Sequence, residues 1–305
     1  MINIKEITYG EFGKCVRISD ANIELVVTID KGPFVIRYGF IGGESVLFED
    51  AKAKYGQEVK DSPFRADRWN VYGGHRMWIS PEKLPRTYYP DVYKVEYNVE
   101  ATAVTFTAPE QEWTHMRYCL KVELLKNGEI RLTHTTQNTG AWDVKVAPWT
   151  ITVMRGGGTV IIPQNTRDTG FFPNKWVAYW PYTSMGDERI KTGDKYITFT
   201  NKPSISAPAK IGVLNNAGYA IYVLKDCAFM KEFAFEDGAE YPDNGCNCES
   251  YMNGEYVEIE SLSPLRVLES GKTMQHIETW QLSKIAKTET LNDNVIKAIA
   301  AKFGK

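Results

Sequence analysis

The stretch MRYCLKVELLKNGEIRLTHTTQN, residues 116–138, decides the fold. Two strand-like runs, 116–125 and 130–138, flank Lys126-Asn127-Gly128. Asn-Gly readily takes positive φ, so this segment predicts an antiparallel hairpin. The same grammar continues outward on both sides. Upstream lie NIELVVTI (22–29), FVIRYGFI (34–41), VYKVEYNV (92–99) and AVTFTA (103–108), with Lys31-Gly32-Pro33 as punctuation between the first two. Downstream come VKVAPWTITVM (144–154), GTVIIP (158–163), YITFT (196–200), YAIYVL (219–224), FMKEFAF (229–235), YVEIESL (256–262) and MQHIETWQL (274–282). Short strands without amphipathic crossovers between them predict an all-β, large antiparallel sandwich. Only LNDNVIKAIAAKF (291–303) has helical spacing, with Asn292 or Asp293 as N-cap. The expected organisation is one sandwich domain over 1–285 and a short helical tail over 286–305.

Composition narrows the partners. The 305 residues are 43% hydrophobic and 24% charged, enough apolar material for a large core. A formal charge of −2, from 36 basic and 38 acidic residues, argues against a general electrostatic grip on nucleic acid or anionic membrane. Five scattered cysteines do not make a disulfide framework. The opening MINIKEITYGEFGKC has neither an apolar run nor a cleavage pattern. The cytoplasm is the expected compartment, or the periplasm if a leader is missing from this sequence. No P-loop, GxSxG elbow or strand-bound GxGxxG occurs, and Gly156-Gly157-Gly158 reads as a turn.

Five constellations carry ionisable and aromatic groups. Residues 42–92 and 164–195 read as long loops over the sheet, where binding groups usually sit. Tyr72-Gly73-Gly74-His75-Arg76-Met77-Trp78 offers two glycines for close backbone approach, a proton-transfer group, a planar donor fork and an aromatic face. The bland alternative pairs Arg76 with Glu82 and buries Trp78. Trp149, after Pro148, either fills the core or faces a cleft. The aromatic loop around Trp176, Trp180, Tyr182, Asp187 and Arg189 suits a saccharide rim or ordinary loop packing. In 241–253, Glu249 sits between polar turns as a candidate general base, and Cys246 with Cys248 is too little for zinc. Glu258 and Glu260 fall two apart on a strand and share one face, either for acid–base work or as a solvated surface.

The order of ELVVTIDKGPFVIRYGF (24–40), GGHRMWISPE (73–82), APWTITVMRGGG (147–158), YWPYTSMGDERI (179–190), FMKEF (229–233), YPDNGCNCESYMN (241–253) and VEIESLSPLRVLESGKTMQHIETWQL (257–282) resembles an uncharacterised bacterial domain family. That family falls within the galactose mutarotase-like superfamily, and the likeness spans nearly the whole chain. It implies a supersandwich whose concave sheet holds a sugar. In aldose 1-epimerases of this superfamily a glutamate takes the anomeric proton and a histidine protonates the ring oxygen. Counting back from the turn Glu269-Ser270-Gly271-Lys272 matches that glutamate to Glu249 rather than to Glu258 or Glu260. The histidine has no match, because Ala147-Pro148-Trp149-Thr150 stands in its place.

Two functional expectations follow. One is a carbohydrate-active isomerase of the aldose 1-epimerase kind. Glu249 is then the base and His75 the acid, Arg76 and Lys231 stabilise charge, and Trp78, Trp149 and Trp180 shape the platform, with Glu258 and Glu260 also contacting substrate. The other is a saccharide-binding protein without catalysis. A sandwich serving protein–protein contact is a third, blander possibility. The expected partner is a small carbohydrate, not nucleic acid or membrane. No cofactor is expected, although clustered carboxylates leave room for calcium.

Overall fold

The computed structural model describes residues 2–59, 64, 67–126, 128–287 and 290–305. Asn127 of the predicted turn lies outside the described residues. Its hairpin forms as read: Met116–Leu124 pairs antiparallel with Ile130–Asn138, from Met116↔Asn138 to Leu124↔Ile130. Along these strands Leu120, Val122, Leu124, Ile130 and Leu132 point into the core, in the two-residue alternation of a half-buried sheet.

Two large sheets face each other. The 11-stranded sheet has at its centre Val35–Phe40, Gly74–Ser80, Val144–Arg155, Tyr256–Leu262, Cys248–Met252 and Ala209–Val213, in that spatial order. The 10-stranded sheet includes Cys227–Phe233, Thr273–Lys284, Ile130–Asn138 and Met116–Leu124 as consecutive neighbours. Every described pairing is antiparallel along these central strands. The inner faces interdigitate through Val16, Leu25, Tyr38, Phe106, Phe199, Phe229, Val257, Ile259 and Trp280, all fully buried. The molecule is thus the all-β sandwich the sequence predicts.

The C-terminal helix Asp293–Ala301 is capped by Asn292, whose side chain accepts from the backbone N–H of Asn294 and Val295 at 3.1 Å each. Its apolar stripe of Ile296, Ile299, Ala300 and Phe303 covers Ile161, Ile221, Val223, Ala228 and Met230 on the outer face of the 10-stranded sheet. The tail therefore shields a sheet face that would otherwise meet water.

One reading needs correction and another needs completing. Residues 74–80 are not loop but a central, wholly buried strand. Gly73 and Gly74 do allow close approach, but the neighbours are backbone: a Cβ would stand 2.1 Å from the Phe48 carbonyl oxygen and 2.2 Å from that of Val35. Glu249 does sit between two turns as read, and the short segment between them is itself an unpredicted strand, Cys248–Met252. Strand propensity misses both segments because their glycines, charges and asparagines resemble loop composition.

Candidate functional site: an aromatic cleft over the large sheet

The strand assignment fixes which side chains meet. Successive residues of a strand point to opposite faces. Within Gly74–Ser80, Arg76 and Trp78 therefore take one face, and His75 and Met77 the other. The register aligns Arg76 with Ile151, Ile151 with Glu260, Glu260 with Glu249 and Glu249 with Gly212. A parallel row runs from Val153 through Glu258 and Tyr251 to Lys210, and Trp78 stands opposite Trp149. Above this face of the sheet lies a cleft of about 320 Å³. Arg76, Trp78, Trp149, Lys210, Tyr251, Tyr256 and Glu258 line it, with Gln57, Trp69, Glu82, Tyr88 and Tyr182 forming its rim.

The aromatic wall is tightly nested. Trp78 meets Trp69 at 5.2 Å, Trp149 at 5.1 Å and Tyr88 at 5.3 Å between ring centroids, the last two edge to face. Trp149 donates from Nε1 to Glu260 Oε2 at 2.7 Å, so this indole both walls the cleft and holds an acid. Trp180 is half-buried and does not line the cleft. It sits behind Lys210, whose Nζ lies 4.7 Å from its ring centroid. Gly212 makes that packing possible, because a Cβ there would stand 2.8 Å from Cys246 Sγ and 3.2 Å from the Trp180 ring.

Lys210 organises the acids. Its Nζ is 2.8 Å from Glu249 Oε2 and 2.8 Å from Glu260 Oε2. Burial alone would lower this ammonium's pKa, but the two carboxyl groups outweigh it and hold the lysine well above its ordinary value. One lysine cannot neutralise two buried carboxylates, and burial pushes Glu249 well above the usual carboxylate range. Glu249 is 1% exposed and lies beneath Lys210 rather than on the cleft wall. Glu258 is the acid that reaches the cleft. Burial first, and Glu260 second, push it up to about 8, against the pull of Lys210 and Arg76. Its side chain has no hydrogen-bond partner among the described residues.

His75 and Lys231 are elsewhere. His75 points between the sheets, with Nδ1 2.9 Å from Thr152 Oγ1 and Nε2 2.9 Å from His134 Nε2. Burial holds His75 well below its ordinary pKa and His134 at about 3, so the pair is neutral. Lys231, from the opposite sheet, reaches Glu278 Oε1 at 2.8 Å and also donates to Thr150 and Thr152. Glu278 accepts further from Thr150, Ser261 and Trp280. Although burial opposes it, Lys231 keeps Glu278 well below the carboxylate range. The expected contact of His75 and Lys231 with a ligand is thus overturned by strand parity. Both belong to a sealed polar network inside the sandwich. His75, His134 and Glu278 bring ligand-type atoms within 4.8 Å of one another, but hydrogen bonds and Lys231 already occupy them.

Sequence reasoning missed Lys210, Trp69 and Tyr88. AKIGV (209–213) lacks the β-branched density of a strand, yet alternation along it would have set Lys210 and Gly212 on one face.

No protein-family model matches the chain, and no curated protein matches it. Solved structures do. A galactose mutarotase-like protein from Clostridium acetobutylicum superposes with a TM-score of 0.57 at 13% identity, covering 93% of this chain and 99% of that one. One from Lactobacillus casei gives 0.54 at 10% identity, over 88% and 100%. A TPR-domain containing protein from Parabacteroides distasonis gives 0.60 at 14% identity, over 92% of this chain but only 50% of that one. At such identities the likeness concerns architecture: this chain has the galactose mutarotase-like fold.

Proposed function

We propose that the cleft binds a saccharide. The observation that carries this reading is the single cleft that joins an indole wall, Trp69, Trp78 and Trp149, to hydrogen-bonding groups Arg76, Lys210 and Glu258 on one rigid sheet face. Aromatic edges and faces suit the C–H side of a sugar ring, and the charged groups suit its hydroxyls. The volume is at the small end of ligand sites, which run about 300–1,000 Å³, and so favours a compact sugar. The fold shared with galactose mutarotase-like proteins supports the same reading, although fold alone does not fix function. The test is a thermal-shift screen of neutral and acidic mono- and disaccharides, followed by calorimetry on hits. A ligand that binds only the folded state raises the melting temperature. No response from any saccharide at millimolar concentration would refute the reading.

One observation favours a second reading, anomer exchange. Glu258 stands in the cleft without a hydrogen-bond partner among the described residues and holds its proton to about pH 8. In this reading its proton goes to the ring oxygen, the role expected of His75, and water in the open cleft carries off the anomeric proton. NMR exchange spectroscopy on a bound sugar tests it. Unchanged exchange in Glu258→Gln would remove the isomerase reading and leave binding.

A further inference from the structure

We infer that the sugar taken by this cleft carries an anionic substituent, a carboxylate or a phosphate, which docks on Arg76. The inference rests on the saccharide reading and names the ligand class. Arg76 is 5% exposed and lies at the cleft floor. Its Nη2 donates to the backbone carbonyls of Asn70, at 3.1 Å, and Val71. Its planar group is clamped between Phe34, 4.3 Å from the ring centroid, and Trp69, at 5.1 Å. These contacts fix the fork in place without supplying a counter-charge. Among the described residues no carboxylate is within ion-pair distance of it. Asp91 and Glu258 act on it only from further away.

A guanidinium has five N–H donors. Two are committed to carbonyls. Among the described residues Nε and Nη1 have no protein acceptor, and neither is a sealed, unsatisfied atom. The leftover Nε–H and Nη1–H groups lie on different sides of the fork, so each is free to give a single charge-assisted hydrogen bond to a carboxylate or phosphate oxygen. Lys210, the other cation lining the cleft, is already held by Glu249 and Glu260, so it adds little attraction for an anion. Arg76 is therefore the cleft's one uncompensated cation among the described residues.

The sheet register gives the spacing. Arg76 and Glu260 stand opposite one another with Ile151 between them. Neighbouring strands are about 4.8 Å apart, so their Cα atoms are separated by roughly 10 Å. A single sugar ring spans a distance of that order, its anionic arm on Arg76 and its opposite edge toward Glu258, on the same strand as Glu260.

The experiment is calorimetry with matched sugars: glucose, glucuronate and glucose 6-phosphate, then galactose and galacturonate. Inorganic phosphate and acetate serve as probes without a ring. The expected result is at least one acidic sugar bound roughly 10–100-fold tighter than its neutral parent, the scale of a charge-assisted pair. That preference should shrink at high salt. It should collapse in Arg76→Gln and be partly kept in Arg76→Lys, which retains charge without the fork. If Arg76→Gln does not fold, the salt dependence and Arg76→Lys carry the test. Carboxylate against phosphate preference separates the two sources of the anion. Equal affinity for neutral and acidic partners overturns the inference and leaves the saccharide reading standing. Phosphate or acetate binding as tightly as the sugar acids leaves the Arg76 contact standing and removes the sugar. No binding by any probe removes both.

Discussion

Replacing Glu258 by glutamine should stabilise the protein, by an amount that grows with pH. Burial and Glu260 raise this carboxyl from its ordinary 4.5 to about 8 in the folded chain. Between those values the folded state keeps a proton that the unfolded state has released. The free energy of unfolding falls with pH wherever the native state binds more protons, so this group's cost is absent below pH 4.5 and complete above pH 8. At 1.36 kcal/mol per pH unit, the interval from 4.5 to 7 corresponds to about 3 kcal/mol as an upper bound. Water in the open cleft screens a half-buried side chain, which brings the working figure to about 1–2 kcal/mol. Glutamine preserves the shape and does not titrate. Denaturant unfolding of parent and variant, followed by tryptophan fluorescence near pH 5, 7 and 8.5, reads the difference directly. His75 and His134, neutral in the fold, give the opposite slope as they protonate on unfolding below 6.5, and this contribution cancels between parent and variant. A difference that is flat across the three pH values would refute the raised carboxyl.

Lys231→Met should cost about 3–5 kcal/mol in the same unfolding assay, because it leaves Glu278 buried without its ammonium. Adding Glu278→Gln should recover part of that loss, and strict additivity would show that the pair is not coupled. Trp149→Phe should cost about 1–3 kcal/mol through the lost donor to Glu260, and sugar binding should weaken with it. Calorimetry at matched temperature checks both, and an unchanged affinity would remove Trp149 from the site. Gly74→Ala should cost at least 1–3 kcal/mol or abolish folding, since its φ is +64° and the added methyl meets the Val35 carbonyl. Soluble yield and melting temperature show this, and a variant as stable as the parent would refute the close approach.

The architecture was legible where β-branched residues are dense. The hairpin at 116–138, the strands at 144–154 and 256–262 and the capped helix all lie close to their predicted places. Composition hid the strands at 74–80, 209–213 and 248–252, which are rich in glycine and polar groups. The site was read only in part for the same reason. Treated as a loop, His75 and Arg76 point together; treated as a strand, they cannot. Glu258 and Glu260 were placed on one face because their strand was recognised, and that face is the cleft side. Lys210 stayed invisible, because a lysine in AKIGV has no pattern until its strand is paired with Cys248–Met252.

The sealed network inside the sandwich has a mechanical consequence for the cleft above it. Three residues on the cleft side of the sheet have a chain neighbour tied into that network: Arg76 beside His75, Trp149 beside Thr150, Glu260 beside Ser261. These ties bolt three adjacent strands to the opposite sheet through His134, Lys231 and Glu278. Sliding any one strand by a single residue would drive Arg76, Trp149 or Glu260 into the sealed interior and turn the buried polar groups outward. The floor therefore behaves as a fixed anvil. Accommodation of differently shaped ligands falls to the rim, to Gln57, Glu82, Tyr88 and Tyr182, none of which is fastened to that network.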